Sequence, residues 1–345
     1  MDLTFSAYKL VCTHPFGISR STHEWYEVIY VYLEQDGIMG CGEAAPSERY
    51  HESAGQIKAV LASGIHLPEI KNDPSHYQNE IQRQSGGLKA LEAALDMALW
   101  DWWGKQQKLP VRQVFGSDPE QTPVTSFTIA LGDFDLIPQK IEEATPYQIL
   151  KVKLGTERDR EIIREIRKYT DKTIRVDANE GWTVDRALEM IPWLADQGVE
   201  LVEQPLPAAR LEETARVRDR APIPIIADEN CLTGADIPQI ADSFHGINIK
   251  LMKCGGLTEA RSMIAQARAR DLKIMVGCMI ESSVGITAMA ALSPQIDFAD
   301  LDGNVLINND PYSGVRIDQG RLILPEGNGL GVSLRSQYIT GYGLQ

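Results

Sequence analysis

A chain of 345 residues with 43% hydrophobic content can bury a sizeable core and exceeds the usual size of one domain, so two domains are expected. Its net charge of −14 speaks against nucleic-acid binding, which needs a clustered basic surface, and no run approaches the roughly 18 apolar residues of a membrane helix. The five cysteines (Cys12, Cys41, Cys231, Cys254, Cys278) are scattered without a C-x-x-C pair and suit neither a disulfide framework nor a zinc site; with no signal-peptide core in residues 1–10, they point to a reduced cytoplasmic protein.

Residues 4–10, 28–33 and 38–43 alternate as strands, and Asp36-Gly37 marks a hairpin turn between the last two. From about Gly87 to Lys105, the residues Leu88, Leu91, Ala94, Leu95, Ala98, Leu99 and Trp102 fall at three-and-four spacing, which predicts a buried amphipathic helix. Sheet followed by helices indicates an α+β unit, assigned to residues 1–120. After Pro123 the texture changes to short apolar strands, each followed by a charged helical stretch. The strand ends recur at Ile129, Lys153, Asp177, Glu203, Asp228, Lys250, Cys278 and Asp302. Such a series predicts a (β/α) barrel over residues 121–314 rather than an open doubly wound sheet, and no G-x-G-x-x-G follows the first strand. Active residues then belong at the C-terminal ends of the strands.

Side chains alternate along a strand, so in residues 149–153 Leu150 and Val152 face the outer helices while Lys151 and Lys153 enter the barrel. The sixth strand repeats the logic, with Asn248 and Lys250 facing in; Lys253 has the opposite parity and reads as structural. Between these strands, three successive strands end in the carboxylates Asp177, Glu203 and Asp228. One acid at a strand end is ordinarily a cap or a solvated loop residue. Three at the same end of one barrel converge and repel unless a cation lies between them, and oxygen-only ligands favour Mg²⁺ or Mn²⁺. The histidines do not compete for this role, because none lies in a spaced pair and His14, His23 and His51 precede the barrel.

The ordered set Lys151-Val152-Lys153, Asp177-Ala178-Asn179, Glu203-Gln204-Pro205, Asp228-Glu229 and Asn248-Ile249-Lys250 resembles the muconate-lactonizing subgroup of the enolase superfamily, over nearly the whole chain. The resemblance implies a modified (β/α)7β TIM-type barrel with an α+β N-terminal capping domain, completed by the C-terminal segment 315–345. It also implies that the helix around residues 94–101 forms the cap's interface with the barrel. By the same resemblance Asp177, Glu203 and Asp228 bind Mg²⁺, Lys153 and Lys250 form the acid/base pair, and Asn179, Glu229 and Asn248 support them. Lys151 is then expected to help lower the pKa of Lys153 to roughly 7 to 8, where a lysine serves as a general base.

The eighth strand places Asp300 and Asp302 on one face, across the barrel from Glu203, and a cation is expected there. This D-x-D resembles the dipeptide epimerases, in which it holds the substrate's α-ammonium. The early loop of residues 15–20 brings Arg20, whose guanidinium suits an acidic substrate side chain. That resembles the L-Ala-D/L-Glu epimerases of murein peptide metabolism, which invert the α-carbon of the C-terminal residue by 1,1-proton transfer through an ene-diolate. Glu281, after the seventh strand, is expected to line the site without an assigned step. The expected partner is therefore a small dipeptide, in a chain compatible with a homo-oligomer. Cycloisomerase, o-succinylbenzoate synthase and N-succinylamino acid racemase are the alternatives, and none of them needs to hold a free ammonium.

Overall fold

In a computed structural model, residues 1–116, 118–132 and 134–339 are described. The N-terminal unit is a three-stranded antiparallel sheet of β1 (Asp2–Ile18), β2 (Ser21–Gln35) and β3 (Ile38–Ala44). The predicted Asp36-Gly37 turn joins β2 to β3, both residues at positive φ (56° and 73°). Cross-strand neighbours share a face, so Ile29, Val31 and Leu33 of β2 lie with Ala44, Gly42 and Gly40 of β3. Against this face packs the helix Lys89–Gln107, so closely that a Cβ on Gly42 would stand 1.9 Å from the Ala94 carbonyl oxygen. Tyr30, Tyr32, Cys41 and Glu43 occupy the other face, which is also covered. Glu43 accepts hydrogen bonds from Ser282 N (2.8 Å), Ser282 Oγ (2.6 Å) and Gly285 N (2.9 Å) at the start of the helix Ser283–Ala290.

Covering on both faces corrects two expectations. The centre of β2, Val28–Leu33, is buried throughout rather than on alternate residues. The helix Lys89–Gln107 is likewise buried nearly all round, because its second face meets the barrel, where Asp96 accepts from Thr258 Oγ1 (2.5 Å) and Trp100 Nε1 donates to the same oxygen (2.9 Å).

Eight parallel strands follow: β4 (Ser126–Ile129), β5 (Ile149–Lys153), β6 (Thr173–Asp177), β7 (Val199–Glu203), β8 (Ile225–Ala227), β9 (Gly246–Ile249), β10 (Lys273–Gly277) and β11 (Phe298–Asp300). They pair in chain order, and a bridge between Thr125 and Ala299 closes β11 onto β4. A helix follows each of the first seven strands, and none intervenes after β11 before the antiparallel segments that begin at Tyr312. The expected strand ends at Ile129, Lys153, Asp177 and Glu203 coincide with those observed. Asp228, Lys250 and Cys278 stand one residue beyond the last paired position and Asp302 two beyond, because the chain turns out of the sheet there. Leu251 and Met252 open a short helix directly after Lys250. The helix after β10 is apolar and wholly buried rather than charged, since it lies under the cap sheet.

Inside the barrel Leu201, Ile226 and Met275 form an apolar plug. The next inward positions on the same strands are Glu203, Asp228 and Gly277, so the interior turns polar towards the C-terminal ends. The segment after Val315 returns to the cap helix, with Leu330 N donating to Asp101 Oδ1 (2.8 Å); residues 340–345 lie outside the described residues.

Candidate active site

Strand register assembles the site. Lys153 on β5 pairs with Asp177 on β6, and Asp177 with Glu203 on β7, so three strand-end residues stand side by side. One oxygen each of Asp177, Glu203 and Asp228 lies within 4.8 Å of the others, and all three residues are buried. Mutual repulsion and burial pull their acidities apart. Burial raises Glu203, Asp177 raises it further, and it stays above the ordinary carboxyl value. Asp177 also meets burial, yet Lys153 and Lys151 outweigh it and bring the acid down to about 2. Asp228 is held far lower, burial being overcome by Lys250 and Lys253. Asn179 Oδ1, Glu229 Oε2 and Asn248 Oδ1 are buried without a hydrogen-bond donor, and Asn248 Nδ2 orients Glu203 by donating to Oε1 (2.7 Å). Three converging carboxylates beside donor-less oxygens fit a hard divalent cation.

The lysines meet these acids directly. Lys153 Nζ lies 2.7 Å from Asp177 Oδ2 and Lys250 Nζ 2.7 Å from Asp228 Oδ2. Their strands are four apart in a ring of eight, so the two ammonium groups approach the centre from opposite sides. Gly277 makes the room for one of them, since a Cβ there would stand 3.1 Å from Lys250 Cε and 2.8 Å from the Asn248 amide. Lys151 sits deeper, 2.6 Å from Asp300 Oδ2, 2.7 Å from Glu203 Oε2 and 3.4 Å from Asp177 Oδ2. Burial lowers Lys151 and Lys250, but Asp300 with Glu203 and Asp228 with Glu203, respectively, raise both well above the ordinary value.

Asp300 and Asp302 share a face as expected, but they are not equivalent. Asp300 is spent on Lys151 and on Ser126 Oγ (2.6 Å). Asp302 accepts from Thr128 N (2.6 Å), and no lysine or arginine among the described residues lies within ion-pair distance of it. Burial and then Asp300 push it up to about 7. Of the two acids, only Asp302 is left without a basic partner among the described residues.

Residues 15–20, read as a loop, are instead the end of a hairpin: Phe16, Gly17 and Ile18 pair with His23, Thr22 and Ser21, leaving only Ser19 and Arg20 to turn. Arg20 reaches the barrel mouth, donating to Asn179 O (2.8 Å), Glu180 Oε2 (3.1 Å) and Glu229 Oε1 (2.8 Å). Arg49 chelates the same Glu180 through Nε and Nη2, both at 2.9 Å. Glu229 is pushed up to about 7 by burial, then by Asp228. Glu281 is pushed up to about 8 by burial, then by Glu43. Sequence reasoning missed Arg49, Glu180, Ser126 and Tyr50, whose phenol is raised by burial and then Asp228. Lys253 is structural, as its parity implied, but it holds the site: its ammonium donates to Asp228 Oδ1 (2.5 Å), Asp228 O (2.7 Å) and Asn248 O (3.0 Å).

Two family models match this chain: the mandelate racemase/muconate lactonizing enzyme N-terminal domain over residues 4–116, and the enolase C-terminal domain-like model over residues 138–338. The chain belongs to the enolase superfamily. It is 38% identical to an L-Ala-D/L-amino acid epimerase of Maribacter sp., covering 97% of this chain and 99% of that one. It is 39% identical to the L-Ala-D/L-Glu epimerase of Bacteroides thetaiotaomicron, over 96% of this chain and 88% of the relative. Among solved structures it is similar to a dipeptide epimerase from Cytophaga hutchinsonii complexed with Mg and D-Ala-L-Val, with a TM-score of 0.91 at 25% identity over 98% and 97% of the two chains. Membership in the enolase superfamily accounts for the barrel, the cap and the acidic triad together.

Proposed function

We propose that this enolase-superfamily chain is a magnesium-dependent dipeptide epimerase that inverts the α-carbon of the C-terminal residue. One observation carries the reading: lysines stand on opposite sides of a buried triad of carboxylates, and across the barrel lies an acid, Asp302, without a cation partner. Asp177, Glu203 and Asp228 would hold the cation, which when bound supplies Lewis-acid stabilisation of charge on a substrate carboxylate. A ligand filling both ends must present an anion to the triad and an ammonium to Asp302. A free amino acid carries both charges on one carbon, whereas a dipeptide separates them by one peptide unit. With the triad carboxylates directed at the cation, Lys153 and Lys250 would face the substrate's α-carbon from opposite sides. One Nζ then removes the α-proton and the other delivers a proton to the opposite face.

Residues 1–120 with 315–345 form the cap in this reading, supported by the return of Leu330 to Asp101, and residues 121–314 form the catalytic barrel. No described helix is long and apolar enough to cross a membrane, and the five free cysteines favour a cytoplasmic setting. Likeness to L-Ala-D/L-Glu epimerases favours peptides of murein origin. Incubation of a dipeptide library in D₂O with magnesium is the test: substrates gain one mass unit, and the gain disappears with excess chelator. Unabated exchange after exhaustive chelation, or exchange confined to N-acylated amino acids, overturns the assignment.

A further inference from the structure

A buried carboxylate outside the acid triad ties together the two loops that leave Lys153 and Asp177. Asp159 opens the helix Asp159–Arg167 and is fully buried. Its Oδ1 accepts from Thr156 N (2.8 Å) and Thr156 Oγ1 (2.9 Å), and its Oδ2 from Gly155 N (3.2 Å) and Trp182 Nε1 (2.7 Å). Three of these donors lie in the loop that follows Lys153, and the fourth in the loop that follows Asp177. Among the described residues no lysine or arginine forms an ion pair with it, and the neighbouring Arg158 turns to Glu161 (2.9 Å). A carboxylate is costly to bury without a cation, and a full set of hydrogen-bond donors offsets that cost. The loops also touch directly. A Cβ on Gly181 would stand 2.5 Å from Gly155 Cα, and one on Gly155, at φ 96°, would stand 2.4 Å from Ala178 O. Leu154 N donates to Asp177 O (2.8 Å), which continues the pairing of the two strands into the loops.

We infer that Asp159 and Trp182 are positioning residues for Lys153: their hydrogen bond locks the loop after β5 to the loop after β6 and so sets where the Lys153 ammonium stands against Asp177. The inference rests on the dipeptide reading above. Lys153 lies two residues before Gly155, and its Nζ is 2.7 Å from Asp177 Oδ2, so a shift between these strand ends moves the lysine relative to the centre of the site. Lys250 has separate supports. It stands four strands away, with room made by Gly277 and an ion pair to Asp228. Among the described residues the side chains of Asp159 and Trp182 hydrogen-bond only within the loops after β5 and β6. Loosening this tie therefore impairs proton transfer on one face of the α-carbon and spares the other.

The test measures loss of the α-proton from each of the two epimers of one dipeptide in D₂O, with the magnesium-loaded enzyme. Each epimer presents its proton to one lysine, and Lys153→Ala identifies the epimer that Lys153 serves. Trp182→Phe keeps an aromatic ring in the buried slot and deletes the N–H donor. It is expected to slow exchange of the Lys153 epimer by roughly tenfold to a hundredfold, the penalty of a displaced catalytic group, and to leave exchange of the other epimer unchanged. Epimerisation falls in both directions, because each turnover uses both lysines. Asp159→Asn leaves one oxygen for Thr156 but sets an amide group against Trp182 Nε1 and Gly155 N, and the same asymmetry is expected of it, which keeps the test available should the first variant misfold. A loosened fold or weakened magnesium binding slows both faces alike. Equal slowing of the two epimers, or unchanged exchange of both, therefore overturns the positioning role while leaving the dipeptide reading in place. Absence of exchange with either epimer of any dipeptide in the parent enzyme overturns the reading on which it rests.

Discussion

Replacing Asp302 by Asn separates two properties that the acid now combines, a cost to the fold and a hold on the substrate. Burial first, then Asp300, pushes Asp302 from the ordinary 3.8 up to about 7. A folded value above the unfolded one means that, between about pH 4 and 7, the folded chain keeps a proton the unfolded chain has lost. Stability therefore falls as the pH rises through that window and stays lower above it. A shift of about three units, at roughly 1.4 kcal/mol each, makes the ionised acid cost on the order of 4 kcal/mol at pH 8. Asn offers Thr128 N the same acceptor without the charge. In chelator, the variant should therefore melt above the parent at pH 8 and match it near pH 4. For 345 residues, with an unfolding entropy of roughly 2.1 cal/mol/K per residue, the difference is about 5 °C in Tm. Dipeptide turnover should move the opposite way, with kcat/KM reduced by on the order of 2 to 5 kcal/mol through loss of the ammonium's partner. Calorimetry across the pH range reads the first effect and initial rates the second. Equal Tm values at pH 8, or a difference that persists undiminished towards pH 4, would refute the reasoning that Asp302 is a buried acid awaiting a cation.

Lys153→Ala and Lys250→Ala should each abolish epimerisation yet retain deuterium incorporation with one substrate epimer, the opposite one for each variant; wild-type epimerisation in either removes that lysine from the mechanism. Glu203→Gln should weaken magnesium binding by roughly tenfold to a hundredfold or more in a calorimetric titration and abolish turnover, and unchanged affinity would count against the triad. Gly42→Ala should lower stability by about 1–3 kcal/mol or more in a denaturant titration, since its Cβ would stand 1.9 Å from Ala94 O; a neutral effect would mean that the sheet and helix are not in close contact.

The barrel was legible because its signals are periodic and local. Inward parity at Lys151, Lys153, Asn248 and Lys250, and an acid at each of three successive strand ends, survive even where the chain leaves the sheet a residue early. What parity cannot reveal is which acids find partners within the fold. Asp300 and Asp302 look alike in sequence, yet only the three-dimensional arrangement brings Lys151 and Ser126 to the first and leaves the second unmatched. Arg20 was legible as a residue near the mouth, but not its engagement with Glu180 and Glu229, which lie 160 and 209 positions away. Glu180 and Arg49 carried no signal at all, being ordinary charged residues in a turn and in the single-turn 3-10 helix Glu48–Tyr50. The cap helix misled in another way, because an amphipathic pattern describes one buried face and this helix has two.

All the triad acids and both flanking lysines belong to the barrel strands or the residues just after them, whereas Phe16 and Arg20 come from a hairpin whose base is fixed by the close contact of Gly40 and Gly42 with the helix Lys89–Gln107. The triad with its lysines and the end of the hairpin are thus written in separate stretches of the gene. Recombination confined to residues 14–24 would exchange the end of the hairpin while leaving every barrel acid and lysine in its register. New hairpin ends can be sampled in such a lineage without first dismantling the barrel site, and the anchored base limits how far each exchange displaces the end.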